Sequence, residues 1–295
     1  MLKYLRKKRG EIETGPDPIE LTRRKLEMEP DLPITLRSIN DLHHNLKQRI
    51  YRTLIPQRFL FQFDVHPISW RGPDKETYVT MKAEPGWGKV YLEARSPFDP
   101  DDPFFLLEIE DSRFNRIDLN LVVLNDPTSE RFYTDIDSEG RQTLFGTVRR
   151  NLAAEEKAMA AGLAPGQVRQ GVRGLADVLN QLETFMIALG HQSIGLEPLT
   201  YVSAWIFERR GFAYTQGHHL LDRIHQEFQP GGKLHAALDG SSPFRRPEQW
   251  ETVRGRAWAI HDGVLEAIDQ QWDQIRMIKQ IGRNANVNTF PDARY

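Results

Sequence analysis

The sequence contains no cysteine, so disulfides, thiolate metal sites and a cysteine nucleophile are excluded. It holds no run approaching the ~18 consecutive apolar residues that a membrane-crossing helix needs, and no membrane partner is expected. An excess of either charge is also missing: 39 Lys+Arg stand against 41 Asp+Glu, a net charge of −2. A balanced chain of that kind is not built to coat nucleic acid or an anionic surface. What it does have is 39% hydrophobic and 27% charged residues over 295 positions. That composition suits a soluble globular protein with a sizeable core, in one large domain or two ordinary ones.

The start is basic, with Lys3, Arg6, Lys7, Lys8 and Arg9, but Glu11, Glu13, Asp17 and Glu20 follow with no apolar stretch between. It does not read as a secretory peptide, so the cytoplasm is the expected compartment. Residues 1–33 are expected to form an extension, either a surface tail or an arm packed on a neighbour.

From Pro33 the pattern becomes regular. A short strand is predicted over 34–37, and Asn40 can cap a helix bearing Leu42, Leu46, Ile50 and Leu54. Apolar runs at 59–65, 77–83, 89–94, 104–109 and 116–124 are separated by Pro-, Gly- and Asp-rich breaks. Such punctuation predicts an antiparallel meander. An alanine-rich helix is predicted over 142–162, carrying Leu144, Val148, Leu152 and Met159. The texture then turns to mixed helix and strand. A long helix ends at Gly190, a strand occupies 193–197, a helix 201–210 and a strand 212–214.

Within 171–214 the sequence reads Gly171-Val-Arg-Gly174-Leu-Ala176, then a helix and the strand Ile194-Gly-Leu-Glu-Pro198. Ala204-Trp-Ile-Phe-Glu208-Arg-Arg-Gly211-Phe212 follows. This block resembles the GNAT superfamily of acyl-CoA-dependent N-acyltransferases. In that family a turn of the form (Gln/Arg)-x-x-Gly-x-(Gly/Ala) opens a helix and binds the coenzyme's diphosphate. Gly174 and Ala176 stand at its two small positions, and Ala204, Glu208, Gly211 and Phe212 match the family's later signature. Departures are equally visible: Gly171 replaces Gln/Arg, Tyr201 replaces an Asn, and Phe207 replaces the Tyr whose hydroxyl protonates the departing thiolate.

The resemblance implies an α+β fold: a mixed, mostly antiparallel sheet flanked by helices. The core would span 34–216 with an insertion at 125–165, followed by a helical extension over 217–295. It implies acetyl-CoA or another acyl-CoA as co-substrate, held by the backbone of Gly171, Val172, Arg173, Gly174, Leu175 and Ala176. Unpaired N–H groups at a helix N-terminus suit a diphosphate. An amine of unspecified identity would be the acceptor. A non-catalytic ligand-binding or assembly module on the same scaffold is the other reading. The residues leave the turn itself open: Val168, Val172, Leu175, Leu179, Leu182, Met186 and Leu189 form a seam spaced by three and four. One helix starting at Pro165 would therefore swallow both glycines.

Acyl transfer to an amine needs a base, and carboxylates on central strands are the natural source. Glu108 and Glu110 share one face of a predicted strand with Phe104 and Leu106; Asp118 shares a face of the next with Asn120. Tyr201 and Tyr214 are the nearest substitutes for the missing phenol. No metal site is expected. The pairs His43-His44 and His218-His219 splay apart on a helix, no His-Glu-x-x-His occurs, and Ser203 lacks a nucleophile elbow. Finally, Trp258, His261, Leu265, Ile268, Trp272 and Ile275 repeat at three and four. They predict a helix over about 254–280 whose apolar stripe is covered by the rest of the chain or by a second copy in a homodimer.

Overall fold

The computed structural model describes residues 33–295 except 115, 145 and 147, so all but the last residue of the expected N-terminal extension lies outside it. Helix α1, Leu36–Asn40, stands where a strand was predicted. Its start is held twice: Thr35 Oγ1 accepts from Ser38 N at 3.1 Å, and the Asp111 carboxylate accepts from Leu36 N and Arg37 N at 2.9 Å. Helix α2, His44–Tyr51, forms within the expected region, but Asn40 does not cap it: Asn40 ends α1 and donates to Trp87 O and Lys89 O, and His43 is the cap. Residues Gln57–Gln62 form α3 rather than a strand, burying Phe59 and Leu60.

Four antiparallel strands then form the meander: β1 Val79–Lys82, β2 Lys89–Arg95, β3 Pro103–Asp111 and β4 Ile117–Leu124. Among the described residues the insertion carries one helix, α4, Leu152–Ala160; the other described residues of the predicted 142–162 helix are not helical. Next come α5 Leu175–Leu189, β5 Ser193–Leu196, α6 Tyr201–Glu208 and β6 Ala213–Gln216. Helices α7 His218–Glu227, α8 Lys233–Ala236 and α9 Val253–His261 follow, then β7 Arg276–Gln280.

The seven strands make one sheet in the order β1-β2-β3-β4-β5-β7-β6. Only β4 and β5 pair in parallel, and the connection between them, residues 125–192, carries α4 and ends in α5. The protein is therefore α+β with a mostly antiparallel sheet. Because β7 fills the place between β5 and β6, the sheet does not end at residue 216.

The expected 254–280 helix does not form. It stops at His261; Gly263 turns the chain at φ 85°, a 3₁₀ turn spans Val264–Ile268, and Asp269 and Gln274 adopt left-handed backbones at φ 52° and 53°. The stripe's spacing fitted a helix, yet its residues serve three different conformations. Trp258, Leu265, Ile268 and Ile275 are all buried, so the chain itself covers them.

Three apolar clusters result. The largest lies between one sheet face and α1, α2, α3, α5 and α6; the second joins α6, α7, α8, α9 and the 264–268 turn. The third, Phe132, Ala158, Leu163, Phe244 and Trp258, fastens the insertion to the C-terminal segment. Ion pairs reinforce that seam: Arg150 reaches Asp262 at 2.6 Å and Glu155 at 2.5 Å, and Arg245 reaches Asp262 at 2.9 Å. Among the described residues no helix is long and apolar enough to cross a membrane.

Candidate functional site

The parallel pair is short. Ile117, Asp118 and Leu119 face Ile194, Gly195 and Leu196, after which β5 ends while β4 runs on to Leu124. Asn120 is extra in the register between β4 and β3, where Glu108 faces Leu121 but Ile109 faces Leu119. A bulge bends its strand and sharpens the twist. Here it falls where contact with β5 ceases, so the two parallel strands part beyond Leu119 and Leu196.

The 170–174 segment returns to that opening. Val172 N donates to Leu124 O at 3.2 Å, and Asp126 N donates to Gln170 O at 2.8 Å. Helix α5 begins only at Leu175, with Gly174 as its cap and no side chain capping it. The unbroken helix from Pro165 is thus absent, and a separate turn precedes α5. Among the described residues, the N–H groups of Arg173, Gly174, Leu175 and Ala176 have no hydrogen-bond partner. The positive end of a fifteen-residue helix therefore faces the opening.

Two arginines add to that field. Arg58 of α3 donates from Nη2 to Arg173 O at 2.6 Å and pairs with the Asp177 carboxylate. Arg173 is exposed, and its guanidinium has no partner among the described residues. The same neighbours revise the reason for Gly174. Its φ of 178° is extended and open to any residue, but a Cβ there would lie 2.2 Å from Phe59 Cζ and 2.4 Å from Arg58 Nη2. The space beside its Cα, which the sequence allotted to an approaching diphosphate, is filled by protein. Gly171 is less constrained, its Cβ position 3.2 Å from Leu124 O.

The structure gathers the nominated carboxylates on the sheet face opposite α5, because Ile109, Ile117 and Leu119 take the buried face and strand residues alternate. Asn120 Nδ2 donates to Glu110 at 2.9 Å and to Glu108 at 3.3 Å. Lys89 neutralises Glu108 at 2.7 Å. Asp118 is in register with Glu110 but is engaged by Arg116 Nε at 2.8 Å. That pair folds over β5, where a Cβ on Gly195 would meet Asp118 Oδ1 at 2.2 Å; only glycine leaves it room.

The phenols are placed elsewhere. Tyr214 is in register with Met277, Met277 with Leu196, and Leu196 with Leu119, so it shares the α5 face and the sheet separates it from the carboxylates. Its hydroxyl donates to Glu208, and burial together with that carboxylate holds the phenol's pKa well above the usual range. Glu208 is itself buried and also accepts from Thr289 N at 3.0 Å and Thr289 Oγ1 at 2.6 Å. Tyr201 is buried at the first turn of α6; burial pushes its pKa to about 12 although Arg256 pulls the other way. Phe207 is buried edge-on against Phe212, its ring 5.2 Å away.

Sequence reading missed Arg58 and Phe59, since 59–65 was taken as a strand and both residues lie far along the chain from the turn. Of the two histidine pairs, His43 caps α2 and His218 faces Asp222 at 3.6 Å. Among the described residues no group of His, Asp or Glu is placed to hold a metal ion. No family model, curated protein or solved structure matches the chain.

Proposed function

We propose that the protein transfers an acyl group from an acyl-CoA thioester to an amine on a GNAT-like core. The observation that carries this reading is the parting of β4 and β5 beside the uncapped start of α5. The order of elements supports it: a meander, a turn and helix, a parallel strand, a helix and a further strand. A crevice outside the C-terminal ends of parallel strands is where open sheets of this kind take ligands.

The diphosphate would accept hydrogen bonds from the free N–H groups at 173–176, with Arg173 as counter-charge. The coenzyme's linear amide arm would lie along the edge of β4 over Leu121–Val123, short of the bond from Val172 N to Leu124 O, as an added strand does. Glu110, whose carboxylate is bound among the described residues only by Asn120, accepts the amine's proton directly or through water. The amine nitrogen then bonds to the thioester carbon, the C–S bond breaks, and its electron pair leaves on sulfur. A thiolate is a tolerable leaving group near neutral pH, since a thiol's pKa is about 8.5, so water can protonate it without a phenol at position 207.

One observation favours a second reading, a coenzyme-binding module without catalysis: Phe207 offers no proton and the Tyr214 proton is committed to Glu208. Calorimetry with acetyl-CoA, followed by thiol release in the presence of an amine panel, separates the two. Binding that Arg173→Glu weakens about tenfold or more supports the site. Binding without thiol release leaves the module, and absence of binding removes both.

A further inference from the structure

We infer that the 289–295 segment is a cover over a second binding groove, and that an extended acidic peptide takes its place there. The inference stands apart from the acyl-transfer reading. Among the described residues no helix or strand follows β7. The chain instead crosses from the end of α6, where Thr289 donates to Glu208, to the start of α9, where Val253 N donates to Arg294 O at 2.8 Å. Thr252 and Arg294 pair there as in a parallel ladder. The groove between α6 and α9 thus already accepts an extended backbone.

Beneath the segment lie donors that have no acceptor. Arg256 is fully buried, yet its Nη2 has no hydrogen-bond partner. Arg254 Nε and Trp205 Nε1 are buried atoms without partners as well. The segment offers them rings: Arg256 Cζ lies 3.5 Å from the centre of Phe290, and Arg254 Cζ 4.0 Å from that of Tyr295. Tyr295 also stacks on Trp205, the rings 5.6 Å apart. Neither arginine is in an ion pair among the described residues, whereas Arg131, Arg150 and Arg169 each meet two carboxylates.

The other neighbours of Arg256 carry no negative charge. Its Nε donates to Trp250 O at 2.7 Å, and its Nη1 lies 3.3 Å from His225 Nδ1. Burial and the guanidinium itself hold that imidazole below its ordinary pKa, and burial keeps the Tyr201 phenol protonated. A guanidinium taken out of water is costly unless it is paired, and a ring face returns only part of that cost. Carboxylates entering on an extended chain would supply the pairs in bidentate form. A peptide carbonyl would replace Arg294 O on Val253 N, as in other added strands. That backbone bond favours a peptide, and the two unpaired guanidiniums favour an acidic one.

The probe is a blocked, fluorescent nonapeptide of alternating glutamate and alanine, titrated into the full chain at fixed ionic strength. The same peptide with glutamine for glutamate is its control. Tyr295 is half exposed, so Tyr295→Ala uncovers Arg254 and Trp205 and should melt close to the wild type. By anisotropy this variant should bind the glutamate peptide about tenfold more tightly than the wild type, because the cover competes less. Adding Arg254→Gln should weaken binding again by about tenfold, and the glutamine peptide should bind about tenfold more weakly than the glutamate one. A further reading needs no variant: saturating the wild type with glutamate peptide should speed amide hydrogen exchange across 289–295 as the cover leaves. No binding by the Tyr295→Ala variant, equal binding of the two peptides, indifference to Arg254→Gln, or slower exchange across 289–295 overturns the inference. So does a single strand of oligothymidylate that binds through Arg254 more tightly than the peptide, which would make the groove a nucleic-acid site. Acetyl-CoA enters none of these readings, so their failure and that of the acyl-transfer proposal are distinguishable.

Discussion

Replacing Gly174 by alanine separates two reasons for a glycine at the start of α5. A methyl carbon there would sit 2.2 Å from Phe59 Cζ, against an optimal carbon–carbon contact of about 3.5–4.0 Å. The ring must retreat by more than ~1 Å, and Phe59 is wholly buried in a close-packed core. Overpacking of that kind costs about 1–3 kcal/mol. Putting alanine at a helix cap adds roughly 0.5 kcal/mol, because glycine is the better cap. Gly174→Ala should therefore lose about 2–3 kcal/mol in urea unfolding, with the m-value unchanged. The companion is Gly174→Ala in a Phe59→Leu background, where the smaller side chain frees the space. The two substitutions should couple favourably by about 1 kcal/mol or more. Acetyl-CoA affinity, measured well below the unfolding midpoint, should change less than stability does. A variant within ~0.5 kcal/mol of wild type, or no coupling to Phe59, would refute the argument. The glycine would then be kept for a ligand and not for its neighbours.

Three further outcomes are expected. Trp258→Phe breaks the 2.9 Å bond from Nε1 to Leu163 O and strands a buried carbonyl, costing about 1–3 kcal/mol, whereas Trp258→Ala costs about 3–5 kcal/mol. Calorimetric melting reads both, and light scattering should show no change of oligomer size. Burial raises the carboxyls of Asp102, Glu155 and Asp262, but hydrogen-bonded partners outweigh it and hold all three below the ordinary range. The dominant partners are Arg169 and Arg131 for Asp102, His261 and Arg150 for Glu155, and Arg150, Ser242 and Arg245 for Asp262. A depressed folded-state value stabilises above the unfolded value of about 4 and is lost as pH falls through the folded one. Urea midpoints should therefore drop steadily below about pH 4, and Asp262→Asn should flatten that slope. Tyr214→Phe should lower the melting temperature yet keep at least about half of any thiol release, since its proton is committed to Glu208. Abolished turnover with acetyl-CoA binding intact would restore that phenol to the chemistry.

The legible parts of the fold were those whose local signals agreed. Strand β2 alternates along its whole length and β4 over Ile117–Asn120, β3 is an apolar run bounded by Pro103 and Asp111, and Gly190 closes α5 in a left-handed conformation as a helix-ending glycine should. The 59–65 run deceived because a short apolar stretch carries no period. It became a helix through tertiary contact, Phe59 and Leu60 being buried against the sheet cluster. The 254–280 stripe deceived in the opposite way. Its spacing was helical, but Gly263 and two left-handed residues redirected the chain, and its last part became β7. At the site, the turn and the shared face of Glu108, Glu110 and Asp118 were visible locally. Arg58 beside Arg173, and the sheet standing between Tyr214 and the carboxylates, are facts of long-range register that no window of sequence contains.

Strand β7 occupies the gap between β5 and β6 although both precede it in the chain. While a ribosome is making residues 217–275, β5 presents one bare edge and β6, whose strand partner in the sheet is β7, presents both, and neither can satisfy the other at double spacing. Bare edges recruit strands from other molecules. The segment emerging in that interval is the one that packs on α6 in the second cluster, so it can hold the gap open before its own strand arrives. The hazard in making this protein is thus one of timing. A stall before Arg276 is the moment when one nascent chain can borrow its missing strand from another.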